Sequence, residues 1–435
     1  MSGSSIREVA EAAKLASRTL ASLDEVKRNR VLEVMASSLE QSATELFTAN
    51  QQDMQCATAR SADDALPAST LSRLNLTDAK LREMVDQVRS VAILPDPLNR
   101  KLDAIELDEG LNLEKISVPL GVLAVIFEAR PDAVTQIASL AIKSGNAVIL
   151  KPGREVEHTA KAIVRVLRSA LASEGVNEDT ISLALSRDDV AELLAMHNLV
   201  DMVIPRGSKV LVEYVQANTR IPVLGHSEGI CHIYVDRSAN QELSLRVIVD
   251  AKLDYPAACN AVETVLVHRG IASEFLPKLL QCLHDKNIAV HGDEQVRALS
   301  NHVRPVVAWH CEYGEPELAL GVVDSLAAAI EHIHTHGSAH TESILTEDSA
   351  AAEKFLREVD AAGVFHNAST RFADGFRYGF GAEVGISTSK LHARGPVGLE
   401  GLTTYKYVLR GHGQVAGDYR GPNARAFTHR REAKP

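Results

Sequence analysis

Cysteine is scarce: Cys56, Cys231, Cys259, Cys282 and Cys311 are the five in 435 residues. They are odd in number, widely spaced and free of any C-x-x-C pair, so neither a disulfide framework nor a zinc cluster is indicated and a reducing compartment is. Long apolar runs are missing as well, none approaching the roughly 18 residues of a membrane span. Basic charge is in deficit, with 46 Lys and Arg against 57 Asp and Glu and a formal net charge of -11. Nucleic acid is a poor partner for such a chain, because phosphate binding needs a concentrated basic surface. There is no G-x-G-x-x-G, which removes the ordinary dinucleotide fingerprint. Tandem repeats and low-complexity segments are also missing. The first twenty residues carry charges throughout and no continuous apolar core, unlike a secretory signal. These absences leave a cytoplasmic protein, away from membranes, whose partner is a small molecule.

What is present is an ordinary globular composition, 45% hydrophobic and 24% charged, long enough for two or three sub-domains. Residues 5–90 read as helices, with Ile6, Val9, Ala13, Ala16 and Leu20 at helical spacing and a polar, Pro-containing turn at 65–69. Residues 101–118 alternate weakly about an E-G-L-N turn at Glu109–Asn112, which predicts a hairpin. From Leu120, short β-rich runs alternate with helical stretches, the pattern of a parallel α/β sheet, and a second such alternation starts after Ser238. The segment 411–435, rich in Gly and Arg, is expected to be a flexible tail.

The window Leu253–His268, L-D-Y-P-A-A-C-N-A-V-E-T-V-L-V-H, presents Cys259 among small residues just before a strand-like run. Small neighbours leave a carbonyl room to approach sulfur, and an alternating, β-branched strand at 262–267 would hold the loop rigid. A buried structural thiol is the competing reading, since free cysteine often packs as a small hydrophobe. Two further segments end strands in polar residues at a helix start: A-V-I-L-K-P-G (147–153), with Lys151, and D-M-V-I-P-R-G-S-K-V (201–210), with Arg206, Gly207 and Ser208. A helix N-terminus offers unpaired amides to phosphate oxygens, Gly207 permits close approach, and Ser208 is placed to cap. Plain strand-to-helix turns with solvated charges would look the same.

The run V-P-L-G-V-L-A-V-I-F-E-A-R-P-D (118–132), followed by S-G-N-A-V-I-L-K-P-G, resembles the cofactor domain of the aldehyde dehydrogenase superfamily. More specifically, the chain resembles the γ-glutamyl phosphate reductase (glutamate-5-semialdehyde dehydrogenase) family. The segments that carry this are F-E-A-R-P-D, V-L-G-H-S-E-G-I-C-H-I-Y-V-D (223–236), Y-P-A-A-C-N, A-I-E-H-I-H-T-H-G-S-A-H-T-E-S-I (329–344), N-A-S-T-R-F and G-A-E-V-G-I-S-T-S-K-L-H-A-R-G-P (381–396). The likeness runs from about Ile6 to Arg410 and leaves out the tail.

This resemblance implies an aldehyde-dehydrogenase-like α/β fold with two parallel-sheet domains and a small oligomerisation arm. Its parts would be N-terminal helices and an NADP-binding domain in 1–238 with the 101–118 arm, a catalytic domain in 239–395, and a return segment in 396–435. It implies NADPH-dependent reduction of L-glutamyl 5-phosphate to L-glutamate 5-semialdehyde and phosphate through a Cys259 thioester, the second step of proline biosynthesis. Cys259, Asn260 and Arg130 would be catalytic, with Arg130 able to meet the acyl phosphate by paired hydrogen bonds. Lys151, Arg206, Gly207, Ser208 and Glu312 would hold the cofactor, with Glu315 a rival for Glu312. Glu383, Arg371, Lys390, His392 and Arg394 are the candidates for the substrate's α-amino and α-carboxyl groups. The superfamily's water-activating glutamate would fall at about Leu224, with Glu228 nearby, and its loss suits a reductase, since a base beside the thioester would hydrolyse it. His332, His334, His336 and His340 would shape and cap a helix end before Gly337; no metal is expected. A homodimer or homotetramer and a contact with glutamate 5-kinase would follow. A hydrolytic semialdehyde dehydrogenase and a non-catalytic scaffold for a kinase are the alternatives.

Overall fold

The computed structural model describes residues 5–59 and 66–431. The helices Ile6–Leu20, Glu25–Gln41, Ala43–Thr58 and Asp78–Ala92 form where apolar residues recur at helical spacing, and most starts are capped. Ser5 and Glu8 exchange backbone bonds in a capping box, and Asp24 and Thr77 cap the second and last of these helices. The turn expected at 65–69 begins outside the described residues, and the chain is helical again over Ala68–Leu74.

The first sheet has four parallel strands in the order Ile181–Leu183, Ala147–Pro152, Val122–Phe127, Met202–Arg206. Helices cover both of its faces. Ile6, Ala10 and Ala13 pack with Val122, Ala124 and Ile126, while Met35, Leu39, Met84 and Val88 belong to the core that holds Leu123, Val125 and Phe127. All six residues of Val122–Phe127 are therefore buried, the signature of a parallel strand sandwiched by helices. The Lys14 ammonium ties the first helix to Asp201 at 2.7 Å, and the same carboxylate accepts the Val122 amide at 2.8 Å.

The second sheet has seven parallel strands in the order Arg304–Pro305, Ala289–Gly292, Glu317–Val323, Val262–His268, Cys231–Val235, Thr341–Leu345, Gly363–His366. It takes its first strand at Cys231, ahead of residue 239, because that strand pairs with Val262–His268. Val262–Val267 was expected to alternate between two faces. It is instead buried throughout, since the strand is central and covered on both sides. Its one carboxylate, Glu263, is neutralised in place by Lys252 at 2.8 Å, both side chains being fully buried. Burial pushes the Glu263 carboxyl up to about 7 in spite of that ammonium.

The expected hairpin is Lys101–Asp108 paired with Leu111–Pro119, turning through Gly110 at φ 69°, which glycine tolerates. Thr403–Arg410 adds to one edge, and Arg430–Arg431 to the other, as a separate antiparallel sheet. The tail up to Arg431 thus folds back instead of trailing free. Tyr419 stacks on Phe427 at 4.3 Å and donates to Asp108, while Arg431 pairs with Asp103, so an acidic sheet edge collects the tail's arginines. Among the described residues no helix is long and apolar enough to cross a membrane.

Candidate active site

Between the two parallel sheets lies a cavity of about 1800 Å³. A pocket for one small molecule runs to roughly 300–1000 Å³, so there is room for two. Its walls come from the carboxyl ends of first-sheet strands and from loops that lead into second-sheet strands.

Cys259 sits half-buried on the cavity wall, in the loop between the helix Gln241–Leu253 and the strand Val262–His268. Three contacts fix that loop. Gly229 lies so close that a Cβ there would stand 1.9 Å from the Cys259 carbonyl oxygen and 2.4 Å from its Cα. The buried Cys231 thiol, its pKa pushed well up by burial, donates to the same carbonyl at 3.4 Å. Asn260 is buried, donating to the Ala373 carbonyl at 2.9 Å and accepting from Arg371. Both ends of the Asn260 amide thus tie the loop to its surroundings, with one N–H of the amide left over. Arg371 is likewise engaged, bonding Asp254 at 3.0 Å, and stands as a strut of the loop instead of a free carboxylate partner.

Facing the sulfur are His226 and His340, whose ring nitrogens and the Cys259 Sγ all lie within 4.8 Å of one another. Arg206 also faces it. The strand Met202–Arg206 delivers its guanidinium next to Arg130, Glu383 and Cys259, where burial and then Arg130 lower its pKa to about 10. By surface area Arg206 is half-buried. Among the described residues it donates to Gln136 at 3.0 Å. Arg206, expected beside the cofactor, thus lies near Arg130, Glu383 and Cys259 while lining the same cavity as Gly207 and Ser208. Glu383 lines the same wall, with burial raising its carboxyl while the Gly375 amide donates to it at 2.8 Å.

The first-sheet edge is built for anions. Lys151 is buried at the end of its strand and bonds the Pro152 carbonyl at 2.6 Å, with burial lowering its pKa. Gly207 and Ser208 precede the helix Lys209–Ala217, but Ser208 makes no side-chain cap. Glu128 takes the Ser208 amide at 2.9 Å instead, and a Cβ on Gly207 would collide with that carboxylate at 2.4 Å. Glu128 was not singled out in the sequence, although its place just after a buried strand and before Arg130 is the available signal.

Glu312 lines the cavity and Glu315 does not. Leu224 is buried at the position of the missing base. Glu228 is nearby, but its carboxylate is bound by Lys209 at 2.6 Å and His310 at 3.0 Å; burial would raise its pKa, and these two partners hold it below the usual value. Lys390, His392 and Arg394 are not brought to the cavity: Lys390 and Arg394 pair with Asp360, and His392 bonds the Thr403 carbonyl at 2.9 Å. Asp360, about 30 residues upstream in sequence, pairs with both cations. Of the histidines, His332 and His336 share a helix face at 4.6 Å before the capping Gly337, whereas His340 lies beyond the helix, buried with a ring nitrogen within 4.8 Å of the Cys259 sulfur.

A nucleophile loop and an anion-binding strand edge, opposed across one cleft between two parallel sheets, define a class. The aldehyde dehydrogenase family profile matches residues 1–300, and the chain belongs to that family. Within it the chain falls among the γ-glutamyl phosphate reductases. It is 53% identical over 427 residues to the γ-glutamyl phosphate reductase of a Cyanothece species, covering 98% of each chain, and 50% identical, again over 98% of each, to γ-glutamyl phosphate reductase 1 of a Synechocystis species. The crystal structure of γ-glutamyl phosphate reductase from Thermotoga maritima is similar with a TM-score of 0.92 at 37% identity, over 95% of this chain and all of that one. A likeness over 98% of the chain reaches into the segment after Gly411, which the motifs alone left out.

Proposed function

We propose that this protein reduces L-glutamyl 5-phosphate to L-glutamate 5-semialdehyde and phosphate with NADPH, in the cytoplasm, as the second step of proline biosynthesis from glutamate. The observation that carries the reading is Cys259 half-buried on the cavity wall with Arg130 and Arg206 beside it. Two guanidiniums suit a phosphoryl group, which they can grip by paired, charge-assisted hydrogen bonds. Cys259 attacks the acyl carbon, the arginines steady the departing phosphate, and a thioester remains on sulfur. The Cys259 amide is the oxyanion donor the loop supplies, a kind of group whose loss costs on the order of a hundredfold in rate. Water would be kept inert because Leu224 replaces the base and Glu228 is tied to Lys209 and His310.

The first-sheet edge fits a dinucleotide: amides at the start of Lys209–Ala217 already face a carboxylate, and Gly207 leaves no side chain in the way. A nicotinamide cofactor supplies a hydride there when bound. Lys151 would reach the adenosine ribose or its 2′-phosphate, Gly207 and Ser208 the diphosphate, and Glu312 the nicotinamide ribose. Glu383 remains the candidate for the substrate's ammonium group. A homodimer or homotetramer would form through the outer sheet, whose edge strand exposes Tyr405, Tyr407 and Leu409.

The test is the reverse reaction. Glutamate-5-semialdehyde and NADP are supplied with and without inorganic phosphate, and reduced cofactor is followed by absorbance. Phosphate-dependent turnover that vanishes in Cys259→Ala is expected. Phosphate-independent turnover would replace this reading with a hydrolytic dehydrogenase.

A further inference from the structure

His226 lies two residues past Leu224 on the cavity wall, and it was not among the residues expected to act. Its ring lines the cavity and its Nδ1 lies 2.9 Å from the Ile386 carbonyl. A carbonyl only accepts, so Nδ1 carries the hydrogen of the neutral ring and Nε2 keeps its lone pair. That fixes one tautomer, the one able to take a proton. Behind it, His340 is fully buried, its Nδ1 held by Thr341 at 2.9 Å and its Nε2 without a protein partner. The two rings meet edge to face at 5.1 Å, which limits how His226 can turn. Each has a ring nitrogen within 4.8 Å of the Cys259 sulfur. That separation is looser than a thiol–imidazole bond, as unliganded catalytic contacts often are.

We propose that His226 is the proton partner of Cys259, with His340 as the positioning residue that backs it; this deepens the acyl-phosphate reading and rests on it. The Cys259 S–H bond breaks as its proton passes to His226, the S–C bond forms on the acyl carbon, and the C–O bond to phosphate breaks. The departing phosphate takes that proton from the imidazolium. After hydride reaches the thioester carbon, the C–S bond breaks, giving aldehyde and thiolate, and His226 returns a proton from solvent to sulfur. The sum consumes acyl phosphate, reduced nicotinamide and one proton, and yields aldehyde, phosphate and oxidised nicotinamide. Other charged or titratable groups around the pair are Glu383 opposite His226, Arg206 and Arg130 across the sulfur, Cys231 beneath it and His340 behind.

The experiment needs neither substrate nor cofactor. Full-length wild type, His226→Gln and His340→Gln are alkylated with iodoacetamide at pH 7 and pH 10, and the Cys259 peptide is followed by mass spectrometry. At pH 10 an ordinary thiol, with a pKa of about 8.5, ionises unaided. The expected result is that His226→Gln slows alkylation about tenfold at pH 7 and less than about twofold at pH 10, a selectivity that only a proton acceptor confers. Added imidazole should restore the pH 7 rate in His226→Ala. Equal slowing at both pH values, no slowing at all, or the pH-selective loss appearing in His340→Gln alone would overturn the assignment. Failure of the phosphate-dependent reverse reaction in wild type would sink the acyl-phosphate reading separately, since alkylation does not depend on it.

Discussion

The two parallel sheets present opposite edges to one cavity. In the first, every contributing loop follows its strand: Glu128–Arg130 after Phe127, Gly153–Glu155 after Pro152, Gly207–Lys209 after Arg206. In the second, His226–Glu228 precede Cys231, Cys259 precedes Val262 and Glu312 precedes Glu317, while Arg371 and Asp374 follow Gly363–His366. Carboxyl ends of strands lead into helix N-termini, where amides and a positive dipole end favour anions. Amino ends receive chain from helix C-termini, and these loops hold a thiol and imidazoles. One face is thus suited to holding phosphates and the other to chemistry at sulfur, and the reacting centre falls where they meet.

The division can be broken from the chemical side first. Gly229→Ala puts a methyl group where the Cys259 carbonyl stands, so the nucleophile loop must move by an ångström or more. Turnover should fall on the order of a hundredfold or more, as misplacement on that scale does, while cofactor affinity by fluorescence titration stays near wild type. Loss of both together would mean the two edges do not act separately.

Arg206 tests where the boundary runs, because its strand belongs to the first edge and its guanidinium to the second. Arg206→Ala should raise the KM for phosphate in the reverse reaction by roughly tenfold to a hundredfold, the size of one or two lost charged hydrogen bonds, and leave the KM for NADP nearly unchanged. The reverse pattern would return Arg206 to the cofactor. Within the first edge, Glu128→Gln weakens the carboxylate's hold on the Ser208 amide. Cofactor should bind about two- to fivefold tighter, the scale of one charge at a helix N-terminus.

The smallest effect concerns stability. His332 lies against His232 and Trp309 on the second domain's helix, and burial, with His232 and His336, takes its pKa from 6.5 to about 3. An unfolded chain would accept the proton first, so between pH 6.5 and 3 it binds more protons than the folded one. Stability contributed by neutral His332 is therefore lost as pH falls through that window. His332→Asn should show a shallower fall of Tm on acidification, read by calorimetry; an unchanged slope would place the acid sensitivity elsewhere.

Much of the scaffold was legible. Val122–Phe127 and Ala147–Pro152 are apolar runs of strand length, the first helix shows its stripe, and the turn at Glu109–Gly110 marks the hairpin. Cys259 was legible because its loop has small neighbours and a strand behind it. The partners of charged residues were not. Asp254, Asn260 and Arg371 form one cluster from distant segments, and Lys390 and Arg394 are taken by Asp360, pairings that no periodicity encodes. The closing strand Arg430–Arg431 is two charged residues long and shows no strand pattern at all. Patterning reports which face a residue turns to the core, and the site depends on which loops meet.

Glu128 at the helix mouth gives the first edge its own resident counterion. If the dinucleotide binds here as proposed, its entry would be an exchange of one anion for another. A measured affinity would be the difference between a dinucleotide's phosphates and a tethered carboxylate, and the released Glu128 would swing back to reclaim the amide each time product cofactor departs. Such a tethered carboxylate would act as a built-in competitor at a fixed effective concentration for any anion drawn to this helix mouth.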